Sequence, residues 1–220
     1  MRAVERSQHN WLAYKINNEV VLRHLHMFTG RVVDLGCGTA PYKPEILSAA
    51  REYIGVDWNN SLHGQQNVDV KCDICGPLPF ADEFADTVVS LQVMEHLPEP
   101  RLFLSECARI LKSGGLLFLT VPFQWHIHEA PYDFYRYTRY GLVHLLHEAG
   151  FEQIEILENT GFWQMWLLKF NYHTLRYARG LLKLLWVPIW WINQTIAPVL
   201  DRVSKSPEEA ASYTALARKP

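Results

Sequence analysis

The sequence predicts an α/β protein, a doubly wound and mostly parallel sheet with helices on both faces. Three observations predict it. Short apolar runs alternate with helix-length segments along most of the chain. The first run, 31–35, feeds directly into a glycine turn, Gly36-Cys37-Gly38, and the second, 53–56, ends on a carboxylate, Asp57. Alternation of this kind is what βα units look like in sequence, because a parallel strand needs a crossover helix before the next.

Each element has a local reason. Residues 11–28 read as a leading helix, with Leu12, Ile16, Val20 and Leu25 among its apolar positions and Gly30 ending it. After the 31–35 strand, a helix is expected over 42–50, with Pro41 near its start, where proline is tolerated. The second strand, 53–56, leads to a loop over 59–67 and a short third strand over 69–73. Gly76-Pro77-Leu78-Pro79 is a turn cluster. Residues 86–91 form the fourth strand, and 100–111 form a helix stopped at Ser113-Gly114-Gly115. The fifth strand, 116–121, is continuously apolar, as a buried central strand should be. Thr138 is placed to N-cap a helix over 139–149, with Gly150 closing it. A sixth strand follows over 151–157, and a seventh over 212–218.

Composition narrows the function. A chain of 220 residues with 49% hydrophobic and 20% charged residues can bury one sizeable core, which excludes disordered and collagen-like chains. Net charge is -2, so the whole molecule carries no electrostatic footprint for nucleic acid. Four cysteines are too few for a disulfide framework, and residues 1–10 are polar with no apolar leader core. Both point to a reducing cytosol. Residues 184–200 lack charge, but at 17 residues, with Pro188 and Pro198 inside, the stretch is too short and broken to span a bilayer.

The strongest chemical signal is Val33-Asp34-Leu35-Gly36-Cys37-Gly38 with Asp57 at the end of the next strand. Glycines let the backbone approach a ligand at the carboxyl end of the first strand, and the following helix start favours a negative ligand group. A carboxylate at the end of the second strand can accept hydrogen bonds from both vicinal hydroxyls of a ribose. A dinucleotide fingerprint needs Gly or Ala where this chain has Pro41, which argues against a nicotinamide or flavin dinucleotide.

Asp34-Leu35-Gly36-Cys37-Gly38 resembles the first motif of class I S-adenosylmethionine-dependent methyltransferases, closest to their type-11 subgroup. Tyr53-Ile54-Gly55-Val56-Asp57 resembles the second motif, and the segments around Cys72-Asp73-Ile74 and Phe84-Ala85-Asp86 resemble the third. Leu91 to Leu97 resembles the loop after strand four, and Arg109 to Gly115 the entry to strand five. The one departure, Ser113 in place of a frequent proline, touches only a turn. The resemblance implies a Rossmann-like seven-stranded sheet whose last strand is antiparallel, with S-adenosyl-L-methionine as cofactor. It also implies roles. Gly36, Cys37 and Gly38, beside Asp34, would pass under the methionine and ribose; Asp57 would hold the ribose, and Trp58 would lie against the adenine. Asp73 would accept from the adenine amino group, Ile74 would cover the ring, and the backbone of Leu91 and Gln92 would line the methionyl side.

Methyl transfer from a sulfonium asks mainly for positioning, and an oxygen acceptor also asks for a base. His96 is the first candidate, against a purely structural role. The segment after strand five adds His126, His128, Tyr132, Tyr135 and Arg136, at the rim where open α/β sheets bind ligands. It reads either as an acceptor site or as an aromatic lid. His126, His128 and Glu129 have ligand chemistry, but no further ligand is evident, so no metal is expected. Cys72 and Cys75 sit in a loop without the partners that zinc or redox chemistry would need.

The last two strands are separated by an insert, 159–211, where this fold has a short hairpin. Residues 159–200 contain Lys169, Arg176, Arg179 and Lys183, no acidic residue, and five of the eight tryptophans. On one continuous helix, Lys169, His173, Arg176, Gly180 and Lys183 fall on one stripe opposite Leu167, Phe170, Leu175, Leu181, Leu182 and Leu185. That is a membrane-surface pattern, and it competes with a helix packed on the domain or on a second subunit. The expected organisation is a helical segment over 1–29, a cofactor-binding core over 30–158, the insert over 159–211 and a final core strand over 212–220. The expected function is O-methylation of a small or lipid-linked acceptor, saccharide or quinone-like. A cofactor-binding membrane-peripheral scaffold and a nucleotide-dependent oxidoreductase are the alternatives. The expected location is the cytoplasm, with 160–200 offered to an anionic inner membrane face, no nucleic-acid partner and the oligomeric state open.

Overall fold

The computed structural model describes residues 4–59, 64, 66–204 and 206–220. Residues 60–63 and 65 of the predicted 59–67 loop, and the first three residues of the polar N-terminal stretch, therefore lie outside the described residues. The strands are β1 (Arg31–Leu35), β2 (Glu52–Asp57), β3 (Val70–Lys71), β4 (Ala85–Leu91), β5 (Leu111–Pro122), β6 (Glu152–Glu158) and β7 (Ser212–Arg218). The helices are α1 (Trp11–His24), α2 (Lys43–Ala49), α3 (Pro100–Ile110), α4 (Arg139–Glu148), α5 (Phe162–Thr174) and α6 (Lys183–Val203).

The seven strands form one sheet in the order β3-β2-β1-β4-β5-β7-β6. β7 runs antiparallel to both of its neighbours, so β6 points the same way as β5. Strand order reverses between β1 and β4, and the crevice opens above their carboxyl ends. One face of the sheet is covered by α3 and α4 through Phe103, Leu104, Leu142 and Leu146. The other face packs α1, α2 and the insert through Leu12, Val20, Ile46, Leu167, Leu168 and Ala197.

Several boundaries differ from the sequence expectation. The α3 helix stops at Ile110, and Leu111 already pairs with Ala85 as the first residue of β5. Leu111 sits in extended backbone at φ -71°, ψ 140°, and Gly114 turns at φ +75° within the irregular start of the strand. The third strand keeps only Val70 and Lys71. The Thr138 cap forms as expected, its hydroxyl accepting from the Gly141 amide at 3.1 Å.

The insert departs furthest. Its basic stripe is not continuous: α5 ends at Thr174, Arg179 is extended, and Gly180 takes φ +53°. The chain turns back there, so Lys169 and Lys183 lie on different helices. Pro188 and Pro198, expected to break the segment, are both accommodated inside α6. Packing against α5 and α1 offsets the lost ladder bonds. That packing is polar and specific. Asn193 donates to Asn171 at 2.8 Å, and the Trp190 indole to Thr174 at 2.9 Å. Gln194 accepts from the Leu12 amide, in the first turn of α1, at 2.9 Å and donates to the Gln8 carbonyl. Asp201 of α6 accepts from the amides of Gly161, Trp163 and Gln164, capping α5 from outside. Leu167 is consequently buried, whereas Leu175, Leu181, Leu182 and Leu185 stay exposed at the turn between the helices. Among the described residues no helix is long and apolar enough to cross a membrane.

Candidate active site

The turn after β1 is shaped by its neighbours. The amides of Gly36 and Cys37 both donate to the Val56 carbonyl, at 2.8 and 3.0 Å, carrying the β1–β2 pairing past the strand end. Gly36 then takes φ +78°, and a Cβ there would fall 2.5 Å from a methyl of Val93. Only glycine fits that combination. Gly38, at φ +55°, donates to Asp57 Oδ2 at 2.6 Å, and the Trp58 amide donates to Oδ1 at 2.8 Å. The Asp57 carboxylate is thus buried and fixed by two backbone donors, with lone pairs remaining on both oxygens.

Asp34 lies beneath the turn, accepting from the Tyr53 hydroxyl at 2.5 Å. Burial pushes its carboxyl up to about 7; the Tyr53 bond opposes the rise, and nearby Asp57 adds to it. Cys37 is buried, and burial with the surrounding carboxylates raises its thiol strongly, so it is an inert wall of the site.

These groups open into a cavity of about 570 Å³. All ten residues assigned to the cofactor from sequence reach its wall: Asp34, Gly36, Cys37, Gly38, Asp57, Trp58, Asp73, Ile74, Leu91 and Gln92. Asp73 already accepts from the Cys75 amide at 2.9 Å, and Trp58 meets Tyr132 edge-on at 5.5 Å between centroids. Gln92 holds φ +57°, its amide bonded to the Thr120 carbonyl, and its side-chain Nε2 is buried without a hydrogen-bond partner among the described residues.

The six acceptor-side candidates divide. His96, His128 and Tyr132 reach the cavity wall; His126, Tyr135 and Arg136 do not. Arg136 is held by Asp133 through bonds of 2.6 and 2.7 Å, and also donates to the carbonyls of Trp125, His126 and Tyr135. Its guanidinium staples the loop, and holds the Asp133 carboxyl down at about 2. Tyr135 donates to the Pro98 carbonyl, and His126 packs against Trp125 and Tyr172. Burial lowers the ring pKa of both His126 and His128, so both rings favour the neutral form.

Sequence reasoning missed three contributors. Leu168 and Tyr172 of α5, and Ala13, Tyr14, Ile16 and Asn17 of α1, wall the cavity. Neither helix carries a motif; only the tertiary packing brings them there. Glu95 is the third. Its side chain is fully buried beside His96, and neither carboxylate oxygen has a hydrogen-bond partner among the described residues. Burial pushes it up to about 8, with its own backbone amide and then the nearby Arg136 opposing. The burial of Met94 and Glu95 comes from tertiary packing, so the local sequence carried no signal for it.

Comparisons with known proteins bear on the domain type and the fold. Residues 33–119 match the family model described as a methyltransferase domain. A probable S-adenosylmethionine-dependent methyltransferase of Mycolicibacterium smegmatis is 32% identical over 152 residues, which are 66% of this chain and 57% of that protein. A ubiquinone biosynthesis O-methyltransferase of Parvibaculum lavamentivorans is 28% identical over 98 residues, 40% of this chain and 39% of that protein. The chain thus spans less than two thirds of either relative. Among solved structures, the [4+2]-cyclase SpnF superposes with a TM-score of 0.62 at 19% identity, covering 96% of this chain and 83% of that one. That likeness speaks for the fold alone. The site fits S-adenosylmethionine: a glycine turn with no room for a Cβ beside Val93, an oriented carboxylate for a diol, and an amide donor without a partner among the described residues for a carboxylate. Residues 33–119 thus match a methyltransferase domain, and the chain is similar to S-adenosylmethionine-dependent methyltransferases.

Proposed function

We propose that this chain transfers the methyl group of S-adenosylmethionine to an oxygen of a small or lipid-linked acceptor, a saccharide or a quinone-like ring. The single observation that carries the reading is continuity: one cavity runs from Gly36 and Asp57 to His96, His128 and Tyr132. Asp57 holds the ribose hydroxyls, Trp58, Asp73 and Ile74 the adenine, and Gln92 Nε2 takes the methionyl carboxylate. The acceptor lies under the loop that carries His128 and Tyr132. Its hydroxyl proton leaves toward His96, whose Nδ1 faces the Tyr132 carbonyl at 2.5 Å, so that Nε2 keeps its lone pair. The oxygen lone pair then forms the bond to the methyl carbon. The carbon–sulfur bond breaks toward sulfur, and the sulfonium becomes a neutral thioether.

A second observation bears on the acceptor. Leu181 is 85% and Leu184 74% exposed, and Leu182 and Leu185 are exposed beside them. Arg176, Arg179 and Lys183 lie in the same turn, all three exposed. Leu168 and Tyr172 of the adjoining α5 wall the cavity. An apolar tip ringed by cations next to an acceptor pocket suits an anionic membrane face carrying a lipid-linked substrate.

Calorimetry tests the cofactor assignment: S-adenosylhomocysteine should bind, NAD should not, and Asp57→Ala should weaken the former at least about 100-fold, two charge-assisted bonds being lost. Methyl-labelled cofactor offered with catechol, prenylated catechol in anionic vesicles and a vicinal-diol saccharide tests transfer. Label on an acceptor oxygen supports the reading. Tight cofactor binding with no transfer to any acceptor favours the non-catalytic scaffold. Flotation tests the tip, because Leu181→Ser with Leu182→Ser and Leu185→Ser changes only exposed positions. Equal recovery of both proteins with anionic vesicles would remove the membrane from the proposal.

A further inference from the structure

Three ligand-type atoms converge on the acceptor side of the cavity. His96 Nε2 lies 3.8 Å from Glu95 Oε1, and His128 Nε2 lies 3.8 Å from that same oxygen. All three residues bring a ligand atom within 4.8 Å of the others. Glu129 Oε2 stands 3.8 Å from His96 Nε2, on the cavity wall.

Each group is prepared from behind. His96 Nδ1 faces the Tyr132 carbonyl at 2.5 Å, so its proton sits there and the Nε2 lone pair points at the cluster. His128 Nδ1 faces Asp133 Oδ2 at 3.4 Å and the His126 carbonyl at 3.3 Å. Arg136 fixes that carboxylate, and its Nη2 lies 3.4 Å from the same ring nitrogen. A carboxylate behind a histidine is how proteins orient imidazole ligands for metals. Glu95 is the independent observation. It is fully buried, and both of its oxygens lack a hydrogen-bond partner among the described residues. A buried carboxylate with an imidazole Nε2 3.8 Å away on two sides, and no lysine or arginine bonded to it among the described residues, has the surroundings of a ligand for a cation.

We propose that Glu95, His96 and His128 bind a first-row divalent transition-metal ion, with Glu129 as a fourth side chain at the cavity face. Two imidazoles and one carboxylate form a donor set suited to zinc and its neighbours rather than to calcium or magnesium. Bound ligand atoms sit about 3 to 3.5 Å apart around such an ion, so the two 3.8 Å separations must close by roughly half an ångström and the longest, up to 4.8 Å, by more than one. An ion there would occupy the His96 lone pair, so in the metal-loaded protein Lewis acidity at the acceptor hydroxyl takes the place of His96 as base, and the proton leaves to solvent. That consequence rests on the proposed methyl transfer, whereas the binding of the ion does not.

The test uses the full chain stripped with a chelator. Zn²⁺ is titrated by calorimetry, and Co²⁺ is followed by its visible ligand-field absorption. One saturable site is expected. Glu95→Gln and His128→Asn should each weaken it by about 100-fold or more, beyond the 10 to 100-fold typical of losing an outer partner. S-adenosylhomocysteine affinity in Glu95→Gln should stay within a few-fold of the parent, which shows that the variant is folded. Cys72 and Cys75 are free thiols and compete as zinc ligands, so Cys72→Ser with Cys75→Ser must leave the site intact. No saturable site, or a site lost in the double serine variant and kept in Glu95→Gln and His128→Asn, overturns the proposal. Ion binding without methyl transfer to any acceptor leaves the metal site standing and counts only against the proposed reaction. Cofactor binding without any ion does the reverse.

Discussion

Replacing Asp34 with asparagine should make the protein more stable at pH 8 than at pH 5, relative to the parent. Asp34 is buried below the cofactor turn, and burial raises its carboxyl from the ordinary 3.8 to about 7. The folded state therefore holds a proton that the unfolded chain has released, across the window from about pH 4 to pH 7. Stability falls as pH rises through that window and levels off above it, the reverse of a salt-bridged carboxylate. With those two pKa values the ionisation penalty is roughly 2 kcal/mol at pH 5 and roughly 4 kcal/mol at pH 8. The asparagine amide would keep an acceptor for the Tyr53 hydroxyl and cannot ionise. Urea melts of both proteins at the two pH values, read by linear extrapolation, should show the difference between variant and parent grow by roughly 2 to 3 kcal/mol in the variant's favour. A difference that stays flat, or moves toward the parent at pH 8, would refute the claim that an unscreened carboxyl lies under the turn.

Three further outcomes follow from the packing. Gly36→Ala should cost on the order of 2 kcal/mol or more, since it combines a left-handed backbone with a Cβ 2.5 Å from Val93; thermal melts with and without S-adenosylhomocysteine should also show the ligand's stabilisation lost. Gln92→Leu should leave stability within about 1 kcal/mol, because Nε2 has no protein partner to lose among the described residues, yet weaken S-adenosylhomocysteine about 10 to 100-fold by calorimetry. Asp201→Ala should destabilise by about 1 to 3 kcal/mol in urea melts, because three amides at the start of α5 lose their acceptor, and Asp201→Asn should recover part of that loss.

The sheet was legible because its signals are local. A glycine turn after β1, a carboxylate ending β2 and a continuous apolar run in β5 each report on their own neighbours, and β1 and β7 match the expected strands residue for residue. The α3–β5 boundary was not, because Leu111 serves an apolar helix end and an apolar strand start equally well, and only its pairing with Ala85 decides. The insert misled for a related reason. Periodicity from Lys169 to Lys183 describes one helix, but Gln194 holding α1 and Asp201 capping α5 stabilise two. The cavity residues proposed for the cofactor come from motifs, hence from sequence. The acceptor side depends on which loop groups turn inward, and it took His128 and Tyr132 while leaving Arg136 to hold the loop. Glu95 stayed hidden because a carboxylate's burial is a tertiary fact.

The bond from the Leu12 amide to Gln194 joins α1 to α6. Ala13 and Tyr14, which follow it, form part of the cavity wall, so that wall is stitched to a helix nearly two hundred residues downstream. Trimming the protein back to its motif-bearing middle would leave a bowl without a rim: the fingerprint residues would survive, and the wall that α1 lends the cavity would not.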